Sequence, residues 1–330
     1  MLFHSNFLGS DAPHSVFRSV IGYPRHGGID IFGNTGILIG DAALSRSEGT
    51  LHSAIEAGVI TNWDHAQMLW KHAFDHELNI AMGDNSVLLT EPVDIHTPIR
   101  QKVAQIMFED FNVPALCIRP TAMLALQGAG QVTGMVLESG AGMTQSVPVH
   151  EGQVLRQGVR KAAYGGRDIT DFLVLLLKNR GYELKTRGER AIIDEMKQKL
   201  CLITEDFAVE MANGAELEPR EHTNALRYEL PDGQTITMGT ARFVAPEALF
   251  QPSLMGSNQT PVHDTILASL AFSDQSIQPN LASNIVLSGG NTLFPGYHGR
   301  LMNEIARSAP SDLVSHASQL FLKSCSLGRH

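Results

Sequence analysis

Short apolar runs that end in glycines recur along the chain. Two of them, 132–137 and 284–288, run into the glycine-containing segments 139–142 and 289–290, and a third lies at 86–90. Short apolar runs of this kind are typical of strands in a buried parallel or mixed sheet. The pattern therefore predicts that these runs are strands of such a sheet.

Three longer segments carry apolar residues at helical spacing. They are 64–78, 97–111 and 188–201, and Asp64 is the expected N-cap of the first. The expected core face of the second helix consists of Ile106, Met107, Phe108 and Phe111. Because these helices alternate with the strands, the pattern predicts an α/β architecture.

Composition and charge exclude several classes of protein. The chain has 330 residues, of which 43% are hydrophobic and 18% are charged, and its formal net charge is −9. This length favours two lobes over a single core. We expect no nucleic-acid partner, because no basic cluster is present, and no membrane partner, because no apolar run reaches the ~18 residues of a span. The first residues lack the pattern of a signal peptide, so the expected location is the cytoplasm.

The cysteines and histidines offer little candidate chemistry. Cys117, Cys201 and Cys325 lie among apolar or small residues, which favours buried, reduced thiols. His72 and His76 stand four residues apart on a predicted helix, but no glutamate follows His72, as a zinc-protease motif requires. We therefore expect the histidines to be solvated or to cap helices.

Eight segments of the sequence, in order and at similar spacing, resemble the actin family. They are 7–26, 55–64, 86–91, 104–115, 165–171, 231–239, 246–256 and 286–296. The last two resemble actins more than sugar kinases or chaperone ATPases. The resemblance covers roughly residues 7–311. It implies a two-lobed α/β ATPase fold of the actin/Hsp70/sugar-kinase type, with an adenine nucleotide between the lobes.

The resemblance also implies a division of the chain. The implied parts are a first lobe at 1–125 with an outer subdomain at about 19–54, a second lobe at 126–311 with an outer subdomain at about 165–257, and a divergent tail at 312–330. Actins carry a phosphate-loop strand before the position of Phe7, and a closing sheet and helix after the position of residue 311. We therefore expect this chain to be truncated at both ends.

Two glycine loops and one helix match nucleotide contacts of the family. The implied contacts are Ser139, Gly140, Gly142 and Met143 in the first loop, Gly289, Gly290, Asn291, Leu293 and Phe294 in the second, and Gly166, Lys197 and Gln198 beside the base and ribose. Glycines let a phosphate approach successive backbone N–H groups, which supports this interpretation. The alternatives are plain structural turns for the loops and a solvated surface side chain for Lys197.

The residues expected to hold the metal ion and the attacking water depart from the family pattern. Glu138 replaces the aspartate that binds the ion's water, and Ala141 lacks the carboxylate of a second aspartate. Thr121 and Gln145 replace the glutamine and the histidine that order the water, and Ala57 replaces a phosphate-sensing histidine. Because phosphoryl transfer depends on positioning and charge stabilisation, these changes together predict little or no hydrolysis.

The resemblance thus implies an actin-like cytoskeletal protein that holds ATP or ADP, with Mg²⁺ or Ca²⁺, weakly or not at all. It would act by binding copies of itself, actin-like filaments or actin-binding proteins, through contact surfaces at 27–36 and 152–162. Two alternatives stay open. One is an active actin-type ATPase that polymerises and whose gene product is longer at both ends, and the other is a relict without a stable fold.

Overall fold

The computed structural model of the chain describes residues 2–10, 12–24, 36–45, 49–56, 58–182, 187–215, 227–229, 233, 235–309 and 323–325. The predicted surface loop 27–36 lies outside these residues except for Gly36, as do Ala57 and most of the predicted tail 312–330. Internal contacts divide the chain into two compact units, one that extends to Leu124 and one formed by Ala125–Cys325. Each unit has its own hydrophobic core.

The first unit is built from short strands and a few helices. Its strands are Leu2–Ser5 (β1), Ser15–Arg18 (β2), Val20–Pro24 (β3), Leu38–Ile39 (β4), Gly49–Ser53 (β5), Ile55–Glu56 (β6), Val59–Ile60 (β7), Val87–Glu91 (β8) and Leu116–Pro120 (β9). Its helices are Asp41–Ser45 (α1), Trp63–His72 (α2) and Thr97–Gln105 (α3), and Thr121–Gly128 (α4) leads into the second unit. The central strand β3 pairs with β4 and β5, whereas β8 and β9 form a parallel pair.

The core of the first unit combines residues of β3, of α2 and of the π-helical turns that follow α2 and α3. Among its fully buried side chains are Ile21, Leu69, Ile106 and Met107. The two turns are Ala73–Glu77 and Ile106–Asp110. The helices predicted at 64–78 and 97–111 are therefore confirmed to within a residue, each as an α-helix extended by a π-helical turn.

The second unit contains a mixed sheet flanked by helices. Its strands are Gly134–Ser139 (β10), Thr144–His150 (β11), Gln153–Val154 (β12), Arg160–Ala162 (β13), Arg227–Glu229 (β14), Thr235–Thr237 (β15), Ile285–Ser288 (β16) and Lys323–Cys325 (β17). Its helices are Gly166–Asn179 (α5), Arg187–Leu200 (α6), Phe207–Ala215 (α7), Ala241–Glu247 (α8), Val262–Ala271 (α9), Gln278–Ser283 (α10) and Tyr297–Ser308 (α11). The sheet runs β12-β11-β10-β16-β17, with β10 antiparallel to β11 and parallel to β16.

An ion pair between Arg300 and Glu247 lies among the apolar side chains of the second unit's core. Leu137, Ile169, Leu173 and Leu287 belong to this core, and each of them is almost fully buried. Arg300 of α11 donates from both Nη atoms to the Glu247 carboxylate of α8, over 2.7 and 2.9 Å. Such a two-point contact is needed because an unpaired charge in this position would be costly. The pair therefore joins α8 to α11 within the core.

One of the three strands predicted from apolar runs is shifted, and several strands, β17 among them, were not predicted. The strands predicted at 86–90 and 284–288 are confirmed. The strand predicted at 132–137 begins later, at Gly134, and continues through Ser139, because β10 stays paired with β11 up to that residue. In the tail, which showed no strong pattern, β17 pairs in parallel with β16. A strand that short leaves almost no periodic signal.

Three side chains lie in places that the sequence did not predict. Asn62, rather than Asp64, caps α2, because its backbone is extended and its side chain accepts from the His65 N–H at 3.0 Å. Cys117 is exposed, since burial alternates along β9 and it falls on the outer side. Phe108 is 47% exposed. It belongs to the π-helical turn Ile106–Asp110 and lies on the outer side of that turn, next to the buried Ile106 and Met107.

Candidate functional site

The first glycine loop is a tight turn at residues 140–143, here called the glycine turn. Ser139 ends β10 and is paired with Thr144, the first residue of β11. Across the glycine turn, the Gly140 N–H donates to the Met143 carbonyl at 3.0 Å. The Ser139 hydroxyl lies 2.9 Å from the Thr144 hydroxyl, and both side chains are fully buried. Ser139 therefore holds the base of the glycine turn.

The start of α5 supports the glycine turn from outside the sheet. The N–H groups of Gly166 and Arg167 donate to the carbonyls of Gly140 and Ala141 over 2.9 and 2.8 Å. A Cβ atom at Gly165 would stand 2.5 Å from the Gly140 oxygen, so the approach requires glycine. The prediction that a helix opens at Gly166 is confirmed. The contact fixes two of the carbonyls of the glycine turn.

The second glycine loop lies directly against the first. Gly289 has a φ of +90°, and a Cβ atom there would stand 2.3 Å from the Ser139 carbonyl oxygen. Asn291 is buried, and its Nδ2 atom donates to Gly140 O at 2.9 Å and to Ser139 Oγ at 3.1 Å. At Gly290, by contrast, an added Cβ atom would meet nothing within 4 Å. The structure thus brings the two predicted loops together.

The last two residues predicted in the second loop lie in different environments. Phe294 is 7% exposed and belongs to the hydrophobic core of the second unit. Leu293, the residue before it, is exposed. The Phe294 ring therefore already packs against protein side chains, whereas Leu293 is accessible.

Lys197 is buried and paired, and is not the solvated lysine that the sequence left open as an alternative. Its ammonium group lies 2.7 Å from Asp194 Oδ1, and only 5% of the residue is exposed. Gln198, the next residue on α6, is exposed and donates to Asp194 Oδ2 at 2.9 Å. Nearby Cys201 is also buried, and this burial raises the pKa of its thiol to about 12. That thiol is therefore protonated and unreactive at neutral pH.

Glu138, expected at the metal ion, and Gln145, expected at the attacking water, contact one another. The Gln145 side-chain amide donates to a carboxylate oxygen of Glu138, the residue opposite it on β10. Gln145 is 3% exposed, and within the described residues its Oε1 atom has no hydrogen-bond partner. Ala141 offers no carboxylate. In the described ranges, no three histidine, cysteine or acidic side chains are grouped so that they could hold a metal ion.

Thr121 belongs to the first unit and begins α4. Its hydroxyl lies 3.5 Å from the Glu91 carbonyl oxygen, which is the limit of a hydrogen bond. Gln145 belongs to the second unit, on β11. Both replacements predicted at the attacking water are therefore polar side chains that already contact other protein groups.

The glycine turn fits a phosphate group. Among described residues, no protein acceptor takes the N–H groups of 141–143, and an added Cβ at Gly140 would meet its nearest atom only at 3.9 Å. Successive N–H groups of this kind form an anion-binding concavity. Glu138, at the end of the strand before this turn, carries a charge that suits the water shell of a divalent cation. The geometry of the glycine turn therefore fits a phosphate group, with the Glu138 carboxylate nearby and no carboxylate at Ala141.

Sequence reasoning missed two residues of this site. Thr170 and Asp194 both contact Lys197. Asp194 precedes Lys197 by three residues on α6, a spacing that brings side chains together on a helix. That spacing was an available signal, whereas the contact with Thr170 depends on how α5 packs against α6.

Comparisons with known proteins agree with this geometry. A sequence profile of the actin family matches residues 4–320. Centractin from Schizosaccharomyces pombe is 36% identical to the chain over 310 residues, which cover 91% of this chain and 79% of that protein. No helix in the described part of the chain is long and apolar enough to cross a membrane.

These matches confirm the predicted resemblance and the α/β fold of the actin type, and they support an actin-like cytoskeletal role. Members of the family typically bind ATP or ADP with a divalent metal ion, and take part in filaments or in complexes with partner proteins. The profile extends over most of the chain and includes both glycine loops. The chain belongs to the actin family.

Proposed function

We propose that this protein is a cytoskeletal actin-related protein that binds adenine nucleotide weakly, hydrolyses it little, and acts by interaction with filaments or partner proteins. The observation that carries the proposal is the contact between Gln145 and Glu138. The carboxylate that would face the metal ion's water is engaged by an amide, and Ala141 supplies no second carboxylate. The site therefore offers a metal ion's water shell fewer carboxylate oxygens, and an amide instead of an imidazole at the predicted position beside the attacking water.

Different residues of the chain bind the phosphates, the metal ion's water shell and the ribose. The N–H groups of 141–143 bind phosphate oxygens, and Glu138 accepts from water molecules of the metal ion's shell. A bound Mg²⁺ or Ca²⁺ ion supplies charge neutralisation of the phosphates. Asn291 and Gly166 hold the glycine turn in place, and the exposed Gln198 offers an amide to a ribose hydroxyl.

The proposal is tested by titrating the purified chain with ATP and Mg²⁺. Charge-assisted contacts are worth roughly 1.5–3 kcal/mol each, and each 1.4 kcal/mol is about tenfold, so a site in which one carboxylate is missing and another is engaged by an amide should bind in the micromolar range or more weakly. Ala141→Asp should strengthen Mg²⁺-dependent binding by about tenfold, whereas the uncharged control Ala141→Asn should not. Nanomolar binding by the unmodified chain would contradict the proposal.

The segment 152–162 is the proposed contact surface for a filament or partner. Gln153, Arg156, Gln157 and Lys161 are exposed there. Next to them, the Arg160 guanidinium lies 3.8 Å from the centre of the Phe272 ring, which is 67% exposed. An aromatic ring beside basic residues suits an acidic partner surface. Arg156→Glu with Lys161→Glu should therefore reduce co-sedimentation with actin filaments, and unchanged co-sedimentation would exclude this surface.

An active, polymerising ATPase is the second candidate function. The intact glycine turn and its support by α5 favour it, because these are the parts that hold a phosphate. Tight binding of ATP together with rapid phosphate release during assembly would establish this candidate in place of the first. Slow release during assembly would favour the first.

A further inference from the structure

The ammonium group of Lys197 donates all its hydrogens to protein acceptors. It donates to the Gly166 carbonyl at 2.8 Å, to the Thr170 hydroxyl at 2.8 Å and to Asp194 Oδ1 at 2.7 Å. An ammonium group carries three hydrogens and accepts none. For Lys197 to bind a nucleotide, it would therefore have to leave one of these acceptors.

Asp194 holds the group of acceptors together. Its Oδ1 atom accepts from Lys197 and lies 3.0 Å from the Thr170 hydroxyl, while its Oδ2 atom accepts from Gln198 at 2.9 Å. The Thr170 hydroxyl also lies 2.9 Å from the Gly166 carbonyl, and its single hydrogen serves one of the two acceptors. Among the described residues Asp194 is the ion-pair partner of the buried ammonium, so its removal would leave no counter-charge there, which is strongly unfavourable.

Gly166 connects this cluster to the phosphate site. Its carbonyl accepts from Lys197, and its N–H donates to the Gly140 carbonyl at 2.9 Å. A Cβ atom at Gly166 would stand 2.9 Å from Asn291 Oδ1, so the second glycine loop also bounds its position. One residue thus lies between the Lys197 ammonium and the glycine turn.

We propose that Lys197 and Asp194 form a positioning pair, which fixes Gly166 and through it the glycine turn, and that Lys197 is not itself a nucleotide ligand. The part of this inference that concerns nucleotide rests on the proposed function. The part that concerns the glycine turn does not, because it depends only on contacts within the chain. The pair acts on nucleotide affinity by holding the N–H groups of 141–143 in one arrangement.

The direction in which Asp194→Ala changes the affinity for ATP distinguishes a positioning pair from a direct nucleotide ligand. If the pair positions the turn, Asp194→Ala and Lys197→Met should each weaken ATP–Mg²⁺ binding by about tenfold to a hundredfold, since misplacement by ~1 Å has effects of that size. The double variant should be no weaker than the worse single variant, because the two residues act as one unit. The proposal would be overturned if Asp194→Ala bound ATP as tightly as the unmodified chain, or more tightly, while Lys197→Met bound it weakly.

The same helix provides a matched control. Lys199 forms an ion pair with Glu195 at 2.5 Å, but this pair is exposed and touches neither Gly166 nor the glycine turn. Lys199→Met should therefore bind ATP within about twofold of the unmodified chain, as expected for an exposed pair. A loss in Lys199→Met equal to that in Lys197→Met would show a general effect of charge and would also overturn the proposal.

Hydrogen exchange without nucleotide tests the pair independently of binding. The amides of Gly166 and Arg167 donate to carbonyls of the glycine turn, so their exchange reports how well it is held. We expect at least about tenfold faster exchange in the peptide 163–170 of Asp194→Ala and Lys197→Met, and no change in Lys199→Met. Unchanged exchange, with only a lower thermal midpoint, would overturn the positioning role. Should the unmodified chain bind no ATP, the proposed function fails, and this exchange still decides the inference.

Discussion

Asn291 connects two loops that are far apart in the sequence. Its buried amide donates to Ser139 and Gly140, which lie 152 and 151 residues earlier. Gly140 O also accepts from the Gly166 N–H, but the Thr144 hydroxyl donates its single hydrogen to the Tyr164 carbonyl, so Ser139 donates in its contact with Thr144. Loss of the Asn291 side chain would therefore remove the connection and leave the buried Ser139 oxygen without the donor that Asn291 supplies. At the scale of single residues, the arrangement of the glycine loops depends on this neutral amide as much as on the glycines.

Replacement of Asn291 by alanine should lower the free energy of unfolding by about 1–3 kcal/mol, the range for losing a buried hydrogen-bonding group. The measurement is urea unfolding of the full chain. Asn284→Ala is the control, because the Asn284 amide makes a longer, 3.3 Å bond near the surface, and it should cost no more than about 0.5 kcal/mol. Equal losses in the two variants would mean that Asn291 does not join the loops as described.

At the scale of elements, the loop after β16 shows why two adjacent glycines are not equivalent. Gly289 needs both its positive φ and its missing Cβ, whereas Gly290 has open space around it. We expect Gly289→Ala to destabilise the protein by about 1–3 kcal/mol for the backbone strain alone, and by more because of the contact with Ser139. Gly290→Ala should stay within about 0.5 kcal/mol. The comparison is made by thermal unfolding, and a Gly290→Ala loss as large as that of Gly289→Ala would contradict this account of the loop.

The histidine in the first turn of α2, His65, makes the stability of the first unit depend on pH. His65 is buried, and its ring lies 5.4 Å from the ring of His52 and 3.0 Å from the Tyr23 hydroxyl. Burial, and next the charge of His52, lower the pKa of His65 from 6.5, against a smaller opposite effect of Asp64. The fold therefore favours the neutral ring. The stability that this provides is fully present above pH 6.5 and is lost as the pH falls through the lowered pKa.

We expect the urea midpoint of the protein to fall between pH 8 and pH 5, and to fall less in His65→Gln. The exposed His96, at the start of α3, provides the control. His96→Gln should show the same pH dependence as the unmodified chain. A His65→Gln variant with an unchanged pH dependence would show that another group is responsible.

The sequence predicted long elements better than single side chains. Helical periodicity and short apolar runs located α2, α3, α6, β8 and β16, because each follows from the chain's own pattern of burial. The sequence wrongly predicted that Phe108 and Cys117 are buried. Their exposure depends on which side of one helix turn or one short strand faces the core. β17 was missed because its position is set by pairing with β16 and not by its own composition.

At the scale of the whole molecule, family membership identifies the glycine loops, whereas local geometry identifies the residues that hold them in place. The resemblance located both glycine loops, and the structure brings them together around Asn291. It could not locate Asp194 or Thr170, whose roles depend on the packing of α5 against α6. The predicted lobe and subdomain boundaries, including 19–54 and 165–257, stay predictions. The nucleotide contacts themselves stay predictions as well, since protein contacts alone define the site described above.

The rate of ATP hydrolysis distinguishes the interaction function from the ATPase function. Attack on the γ-phosphate needs a water held in line, and the resemblance predicts that Thr121 and Gln145 replace the two side chains that order it in the family. Threonine is too short to span the distance of a glutamine, and an amide cannot take up a proton as an imidazole can. Because misplacement by ~1 Å can cost about a hundredfold in rate, we expect phosphate release at least that much slower than in an ordinary actin filament, with or without assembly.

Variants at the two positions show whether this reason is correct. Thr121→Gln and Gln145→His should each help little, and their combination should help by more than the product of the single effects, because residues that act as a unit are non-additive. Thr90→Gln, at an exposed threonine of β8, should change nothing. The measurement is phosphate released per mole of chain under saturating ATP and Mg²⁺. Release by the unmodified chain at the pace of an actin filament would show that Thr121 and Gln145 suffice to order the water, and that the protein is an ATPase.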